Sequence, residues 1–393
     1  MRLCQNYFDA AFFVTTSINL FTNKGNYVTF VEMKILFALS IHRAEDERVF
    51  SQQMETLNRR GFHTSVVSLI NDGLMDGSFS IKDKMAHLIS FFLQDEPDII
   101  VGDSPIVILS AWSYKRKINK KLSIVYDVTE WVPSKKNLAN CTALLRPVKW
   151  FLLLLFSWLS GYLSTAFLFG EYHKALPFRI FFSSKKYLNL SYYATVGRIK
   201  RFPLRRKGNS WCFCYSGGLS EEKGFPMVVE AVCECARRRP GKSFRFKIFS
   251  RQNPEINFQL PDNLKIEWCG YLSFDDFCCQ IGDADIFFDL RKIDFENSRC
   301  LPIKLFYYMA AGRVVIYSDL KAIPIGVPEI EKFGVLVDSS QIETVVSSVL
   351  MYIDDEELFF QHCRNAEFLA KNKYDWTKTE ELFVDFIKEI GDE

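Results

Sequence analysis

An excess of either charge sign is what this sequence most plainly lacks: 49 Lys and Arg stand against 47 Asp and Glu, a formal net charge of +2 over 393 residues. Without a basic excess there is no general electrostatic reason to expect a nucleic-acid partner. Gly (19) and Pro (13) together are outnumbered by Phe alone (37), which excludes a fibrous or disordered chain and supplies apolar material for a large core. Histidine is scarce, with five in all, and none of the eleven cysteines is spaced Cys-x-x-Cys. Neither a metal site nor a disulfide framework is expected, and the thiols read as reduced and mostly buried in a cytoplasmic protein. The opening stretch, MRLCQNYFDAAFFVTTSINLF, carries Asp9 inside its apolar part and no small-residue cleavage pattern, so no secretion signal is expected.

What is present is an alternation of strand and helix signals. Residues 1–32 lack periodicity and are expected to be an appendage outside the fold. From Met33, MKILFALS reads as a buried parallel strand. ERVFSQQMETLNRRG follows as a helix with Val49, Phe50, Met54 and Leu57 on one face and Gly61 capping its end. HTSVVSLI, DIIVGD and LSIVYDV read as strands separated by helices over 81–94 and 105–118. GRIKRFPLRRKGN at 197–209 reads as a linker, after which SWCFCYSGG, FRFKIFS, LKIEWCG, DIFFDL, RVVIYSD and GVLVDS resume the alternation. Two doubly wound α/β domains are expected, at 33–205 and 206–375. A closing helix over 376–393 carries an apolar stripe of Trp376, Leu382, Phe383, Phe386, Ile387 and Ile390.

One segment reads like membrane. WFLLLLFSWLSGYLSTAFLFG, from Trp150 to Gly170, holds 21 residues without a charge, long enough to span a bilayer by length alone. Spanning would place the two domains on opposite sides, and basic residues flank both ends (Arg146 and Lys149 before, Lys174, Arg179, Lys185 and Lys186 after). A core helix followed by the strand TAFLF, and an interfacial helix on an anionic membrane, both stay open.

Two motifs carry candidate chemistry. In YSGGLSEEKGF (215–225) a strand ends in Gly217 and Gly218, which would let backbone amides approach a ligand, and a helix begins after Lys223. In CLPIKLFYYMAAGRVVIYSD (300–319) Pro302 suits a first helical turn and Gly312 a helix end, with a strand following at once. An ordinary βα turn explains either motif equally well. Asp283 and Asp285 in GDADIFF have Asp-x-Asp spacing but open a buried strand, and read as structural.

In this order and spacing the motifs resemble the donor-binding half of the family-4-type glycosyltransferases, enzymes of the GT-B fold in which two Rossmann-like domains face a cleft. MKILFALSIHRAEDERVF, IVYDVTEWVP and KYDWTKTEEL resemble the family's opening strand, its Asp-x-His-Glu edge segment and the closing helix that crosses back to the N-terminal domain. The resemblance implies transfer of a sugar from a nucleotide diphosphate sugar to a lipid-linked or growing surface-polysaccharide acceptor, retaining and without a metal or other cofactor. The protein would sit in the cytoplasm, with peripheral contact on the inner membrane face. It implies a donor site of Gly217, Gly218, Lys223, Pro302, Lys304 and Tyr307, with Arg48 adding charge across the cleft. His42, Asp127 and Glu130 are the candidate catalytic or acceptor-side residues, at strand ends facing the same cleft. The sequence departs from the family at Gly218, where many members have Arg, at Thr129 in place of His, at Arg299 in place of the first Glu of E-x7-E, and at Tyr307 in place of the ribose-binding Glu. Glu296 is the nearest acid to take over the ribose. The departures leave room for a non-catalytic scaffold subunit of a polysaccharide assembly complex, and a nucleotide-sugar epimerase is a further alternative.

Overall fold

A computed structural model describes residues 33–75, 78–130, 132–139, 141–204, 208–253 and 259–392. The appendage expected over 1–32, and the part of the expected linker at 205–207, lie outside the described residues. In the first half six strands, β1 (Lys34–Leu39), β2 (His63–Ser68), β3 (Ile99–Gly102), β4 (Ser123–Val128), β5 (Ala166–Phe169) and β6 (Lys186–Asn189), alternate with helices. The helices are α1 (Glu55–Arg59, preceded by a π-helical turn at Arg48–Met54), α2 (Ile81–Asp95), α3 (Pro105–Lys117), α4 (Lys135–Leu138), α5 (Arg146–Leu163) and α6 (Tyr172–Phe181). All the pairings are parallel and the spatial order is β2-β1-β3-β4-β5-β6.

The second half repeats the scheme with β7 (Ser210–Ser216), β8 (Ser243–Phe249), β9 (Leu264–Gly270), β10 (Ile286–Asp289), β11 (Val314–Ser318) and β12 (Gly334–Val337). Its helices are α7 (Phe225–Arg238), α8 (Phe274–Gln280), α9 (Lys304–Ala310), α10 (Ala322–Gly326), α11 (Ile342–Asp354) and α12 (Glu356–Asn372), and α13 (Glu380–Gly391) closes the chain. The order β12-β11-β10-β7-β8-β9 is again wholly parallel.

Burial on both faces explains why central strands such as β3 and β11 read as unbroken apolar runs. In β1, Leu36 and Ala38 enter one core while Ile35, Phe37 and Leu39 enter the other. In β7, Trp211, Phe213 and Tyr215 face one side and Cys212 and Cys214 the opposite. These cysteines act as small core residues, and burial pushes the Cys212 thiol up to about 12.

The closing helix belongs to the first half's core. Trp376, Phe383, Val384, Phe386, Ile387 and Ile390 pack with β1 and Leu57. The Trp376 indole N–H donates to Thr56 at 3.0 Å, and Arg59 reaches Glu380 at 2.6 Å. Leu382, expected in that stripe, is instead exposed. Phe50 is also exposed while Val49, Met54 and Leu57 are buried, because the π-helical turn shifts the facing residues away from an α-helical count. The uncharged segment resolves into α5 followed by β5, and no helix among the described residues is long and apolar enough to cross a membrane.

Candidate functional site

Each sheet has a topological switch point, where neighbouring strands send their connections to opposite sides and leave a crevice at the strands' carboxyl ends. In the second half it lies between β7 and β10. The β7 end turns through Gly217, whose φ of 138° disfavours a side chain, and a Cβ there would lie 2.7 Å from Lys304 Nζ. Tyr215 fixes the loop, its hydroxyl donating to the carbonyls of Gly218 (2.5 Å) and Lys223 (3.2 Å). Gly224 opens α7 with φ 73°, and a Cβ there would fall 1.6 Å from the Leu290 carbonyl oxygen, so only glycine lets the loop lie on the β10 end.

The β10 end contributes two residues that sequence reasoning did not single out. The buried Asp289 carboxylate accepts from Arg291 Nε at 2.9 Å and Nη2 at 3.2 Å. Burial pushes Asp289 up, but Arg291 and Lys304 outweigh it and hold the carboxyl below its ordinary range. Lys304, from the first turn of α9, donates to the Ser216 carbonyl. Burial, reinforced by Arg291 and Lys223 and opposed by Asp289, brings its pKa down to about 8. Lys223 is part-exposed with a 3.3 Å contact to Glu222. Arg291 bonds Asp289, and Lys304 and Lys223 lie near enough to lower its carboxyl further, with Glu222 as a second anion beside Lys223. The legible signal for Arg291 was an Asp-x-Arg pair closing a buried strand.

The loop amides are less available than the sequence implied. The Gly217 N–H donates to the Phe249 carbonyl at 2.9 Å, and the Leu219 N–H to Gln252 Oε1 at 3.3 Å. Gly218 is exposed, and Pro302 is buried just ahead of α9. Asp283 accepts both oxygens' bonds from Lys247 at 2.7 Å, and Asp285 accepts from the Cys212 N–H at 2.8 Å, both structural as expected.

In the first half the switch point lies between β1 and β3. His42 Nδ1 sits 3.1 Å from Asp103 Oδ2, and Asp103 also accepts the N–H groups of Ser40, Ile41 and His42. Asp127, at the end of β4, pairs with the Arg48 guanidinium, which also covers the Tyr192 ring at 4.7 Å. Arg48 is 4 % exposed, so the guanidinium expected to reach across the cleft is committed within its own half. Beside this pair, Glu171 contacts Lys174 at 3.1 Å, and Lys174 donates to the Thr129 carbonyl. Five buried polar atoms of this cluster have no protein hydrogen-bond partner: Arg48 Nη2, Asp127 Oδ1, Thr129 Oγ1, Glu171 Oε2 and Tyr192 Oη. Unpaired buried groups are costly, and this cluster holds five of them. Glu171 and Lys174 were missed as site residues although they are the first charges after the long uncharged segment.

Three contacts join the halves around the residues expected to recognise ribose. Tyr307 is buried, and its hydroxyl donates to Glu47 Oε1 at 2.7 Å. Glu296 Oε1 accepts the Lys135 N–H at 2.7 Å, and Lys135 Nζ meets Asp294 at 3.0 Å. Both candidates are thereby engaged with the first half. Glu130 is exposed, on the wall of an apolar groove.

The sequence matches no protein-family model and no curated protein. The fold has clear structural counterparts. Sucrose-phosphate synthase from Thermosynechococcus elongatus aligns with a TM-score of 0.68 at 10% identity, over 91% of this chain and 99% of that one. Anabaena HepE in complex with UDP gives 0.62 at 12% identity over 91% and 100%. A UDP-N-acetylglucosamine 2-epimerase assignment from Listeria monocytogenes gives 0.58 at 12% over 91% and 96%. The chain has the two-domain GT-B fold that these glycosyltransferase-type structures share.

Proposed function

We propose that the protein is a glycosyltransferase that takes a sugar from a nucleotide diphosphate sugar and delivers it to a hydroxyl of a lipid-linked or growing surface-polysaccharide acceptor at a membrane face. The observation that carries this reading is the convergence of Lys223, Lys304 and Arg291 on the switch point of the second sheet. In transfer the bond from the anomeric carbon to the diphosphate oxygen breaks, a bond to the acceptor oxygen forms, and the acceptor proton passes to the departing diphosphate. Charge develops on the departing diphosphate, where preorganised cations are worth most. Across the cleft, His42 stands at the neighbouring switch point, near the buried cluster of Asp127, Thr129, Glu171 and Tyr192. Retention of configuration and independence from a metal belong to the proposal, with the nucleotide sugar entering as substrate and no resident cofactor.

The fold of HepE, seen with UDP, supports the nucleotide side of this reading. The test is a panel of UDP- and GDP-sugars, with and without a lipid acceptor and with and without EDTA, read as free nucleotide and as the anomer of the product. Nucleotide release that needs acceptor and survives EDTA is expected. The Tyr307–Glu47 bond favours a second reading, a non-catalytic scaffold, because it occupies the position expected to hold ribose. Failure of both UDP and GDP to bind at millimolar concentration would remove the donor-site assignment and favour that reading.

A further inference from the structure

Glu171 carries a carboxylate of the first half to the edge of the second half's anion crevice. It stands at the start of α6, two residues past β5. Gly170 before it lies on Tyr192, where a Cβ would fall 2.0 Å from the ring, so only glycine lets the chain pass there. Beyond it α6 packs against α10 of the second half. Burial lowers the pKa of the neighbouring His173, and Arg299 and Lys321 of the second half lower it further. The first turn of α6 therefore faces the loop over 299–302 that leads into α9.

The Glu171 side chain is buried, with Oε1 3.1 Å from Lys174 Nζ and Oε2 without a hydrogen-bond partner among the described residues. Burial pushes the carboxyl up, and Lys174 draws it back most strongly, followed by the Leu301 N–H and the Arg291 guanidinium. Two groups of the second half thus act on an anion of the first. Neither cation is free to neutralise Oε2, since Lys174 also donates to the Thr129 carbonyl and Arg291 is bound to Asp289. A phosphate held by Lys304 and Lys223 would meet this oxygen where solvent is largely excluded, and like charges placed together there repel strongly.

We propose that Glu171 is a built-in competitor for the donor's diphosphate: its carboxylate takes the place beside Leu301 and Arg291 that the outer phosphate needs, and it must draw back before the donor seats. This rests on the glycosyltransferase reading for the identity of the anion, and on the placement of Glu171 alone for the effect of the carboxylate. The protein then binds its donor more weakly than its cations alone would allow.

Calorimetric titration of the full chain with UDP, uridine and inorganic pyrophosphate tests this. Glu171→Gln keeps the shape and removes the charge, and should tighten UDP and pyrophosphate by about tenfold or more while leaving uridine unchanged. A gain in affinity is a readout that damage to the fold does not produce. Because the single variant leaves Lys174 as a lone buried cation, Glu171→Gln/Lys174→Met removes both charges; it should melt no lower than the single variant and keep the gain. Equal UDP affinity in wild type and both variants, or a gain that vanishes in the double variant, would overturn the proposal and leave Glu171 as a structural partner of Lys174, with the donor site intact. Pyrophosphate tightened in both variants, with UDP bound by none of the proteins, would keep the competitor and remove the nucleotide donor. Binding of neither would overturn both.

Discussion

The Tyr307 hydroxyl donates to Glu47 Oε1 across the two halves at 2.7 Å. Burial pushes the ionisable groups of both residues up, with Asp46 adding to the rise of Glu47 and the phenol's hydrogen bond opposing it. The proton therefore stays on the phenol, and the bond acts as a tie between α9 and the π-helical turn.

Removing the phenol in Tyr307→Phe should cost about 1–3 kcal/mol, because it leaves a buried carboxylate short of a donor. Tyr307→Glu, which restores the family residue, sets a second carboxylate against Glu47 and should lower the melting temperature further. Glu47→Gln should recover much of that loss by offering an amide donor. Thermal unfolding of the three variants and the double variant checks this, and equal melting temperatures for Tyr307→Phe and Tyr307→Glu would contradict it.

The same carboxyl fixes a pH dependence. Since the folded pKa of Glu47 lies above the ordinary value of 4.5, the native state holds this proton more tightly than the unfolded chain. Its contribution to stability falls as pH rises from about the ordinary carboxylate value through the raised folded one. Denaturant titrations across that window should show a decline in wild type that Glu47→Gln lacks.

Lys304 predicts the pH dependence of donor binding. With its pKa near 8, it loses its charge as pH rises through that value, and an anion bound beside it would draw the proton back. UDP affinity in wild type should fall between pH 7 and 9 with proton uptake on binding, and Lys304→Arg should flatten the profile. Lys223→Ala removes a charge-assisted contact of ~1.5–3 kcal/mol and should weaken UDP by about ten- to a hundredfold at neutral pH. Calorimetry in buffers of different ionisation enthalpy reads both effects.

The parts legible in the sequence were those with periodicity. Apolar runs such as KILFAL and the alternation through GVLV located eleven strands, most plainly the central ones that are buried on both faces. The strand β6 was not legible: KYLN has two exposed and two half-buried residues on a sheet edge and carries no apolar run. The glycine turn was legible at Gly217, because backbone geometry constrains residue type there, whereas Gly224, which opens α7, was not singled out. Pairing was not. Nothing in the chain order tells Arg48 to close on Asp127, 79 residues away, or Tyr307 on Glu47, 260 away. The uncharged segment was legible as apolar but not as a helix that buries Ser157, Ser160 and Gly161 and turns its large apolar residues outward, because its orientation is decided by Gly161 meeting Phe182.

The Arg48–Asp127 pair is buried on both sides, with side chains 4 % and 5 % exposed. Breaking such a pair by removing one partner leaves a lone buried charge and costs about 3–5 kcal/mol. Arg48→Met and Asp127→Leu should each destabilise by that order, and the double variant should be more stable than either single one. Denaturant unfolding of the cycle decides it, and additive losses would show that the pair is not a unit.

The outward face of α5 predicts membrane contact, and the structure changes which cations serve it. Lys185 donates to the carbonyls of Gly161 (2.9 Å), Tyr162 (2.5 Å) and Ser164, closing the end of α5, and Lys186 pairs with Glu389 at 2.7 Å. Burial brings Lys185 down to about 8. Replacing these two should therefore reduce stability more than vesicle binding. Lys136 is exposed on α4 and Lys149 half-buried on α5, in the stretch without acids. Each basic residue near an anionic surface is worth about 1 kcal/mol, so Lys136→Gln/Lys149→Gln should weaken binding to phosphatidylglycerol vesicles by roughly thirtyfold at low salt. Phe151→Asp, at a position 60% exposed, should abolish the part of binding that survives high salt while leaving the melting temperature unchanged. Cosedimentation at two salt concentrations reads the two contributions separately. Wild-type binding that is absent at low salt, or unmoved by either variant, would mean that the apolar face of α5 is covered by something other than a membrane.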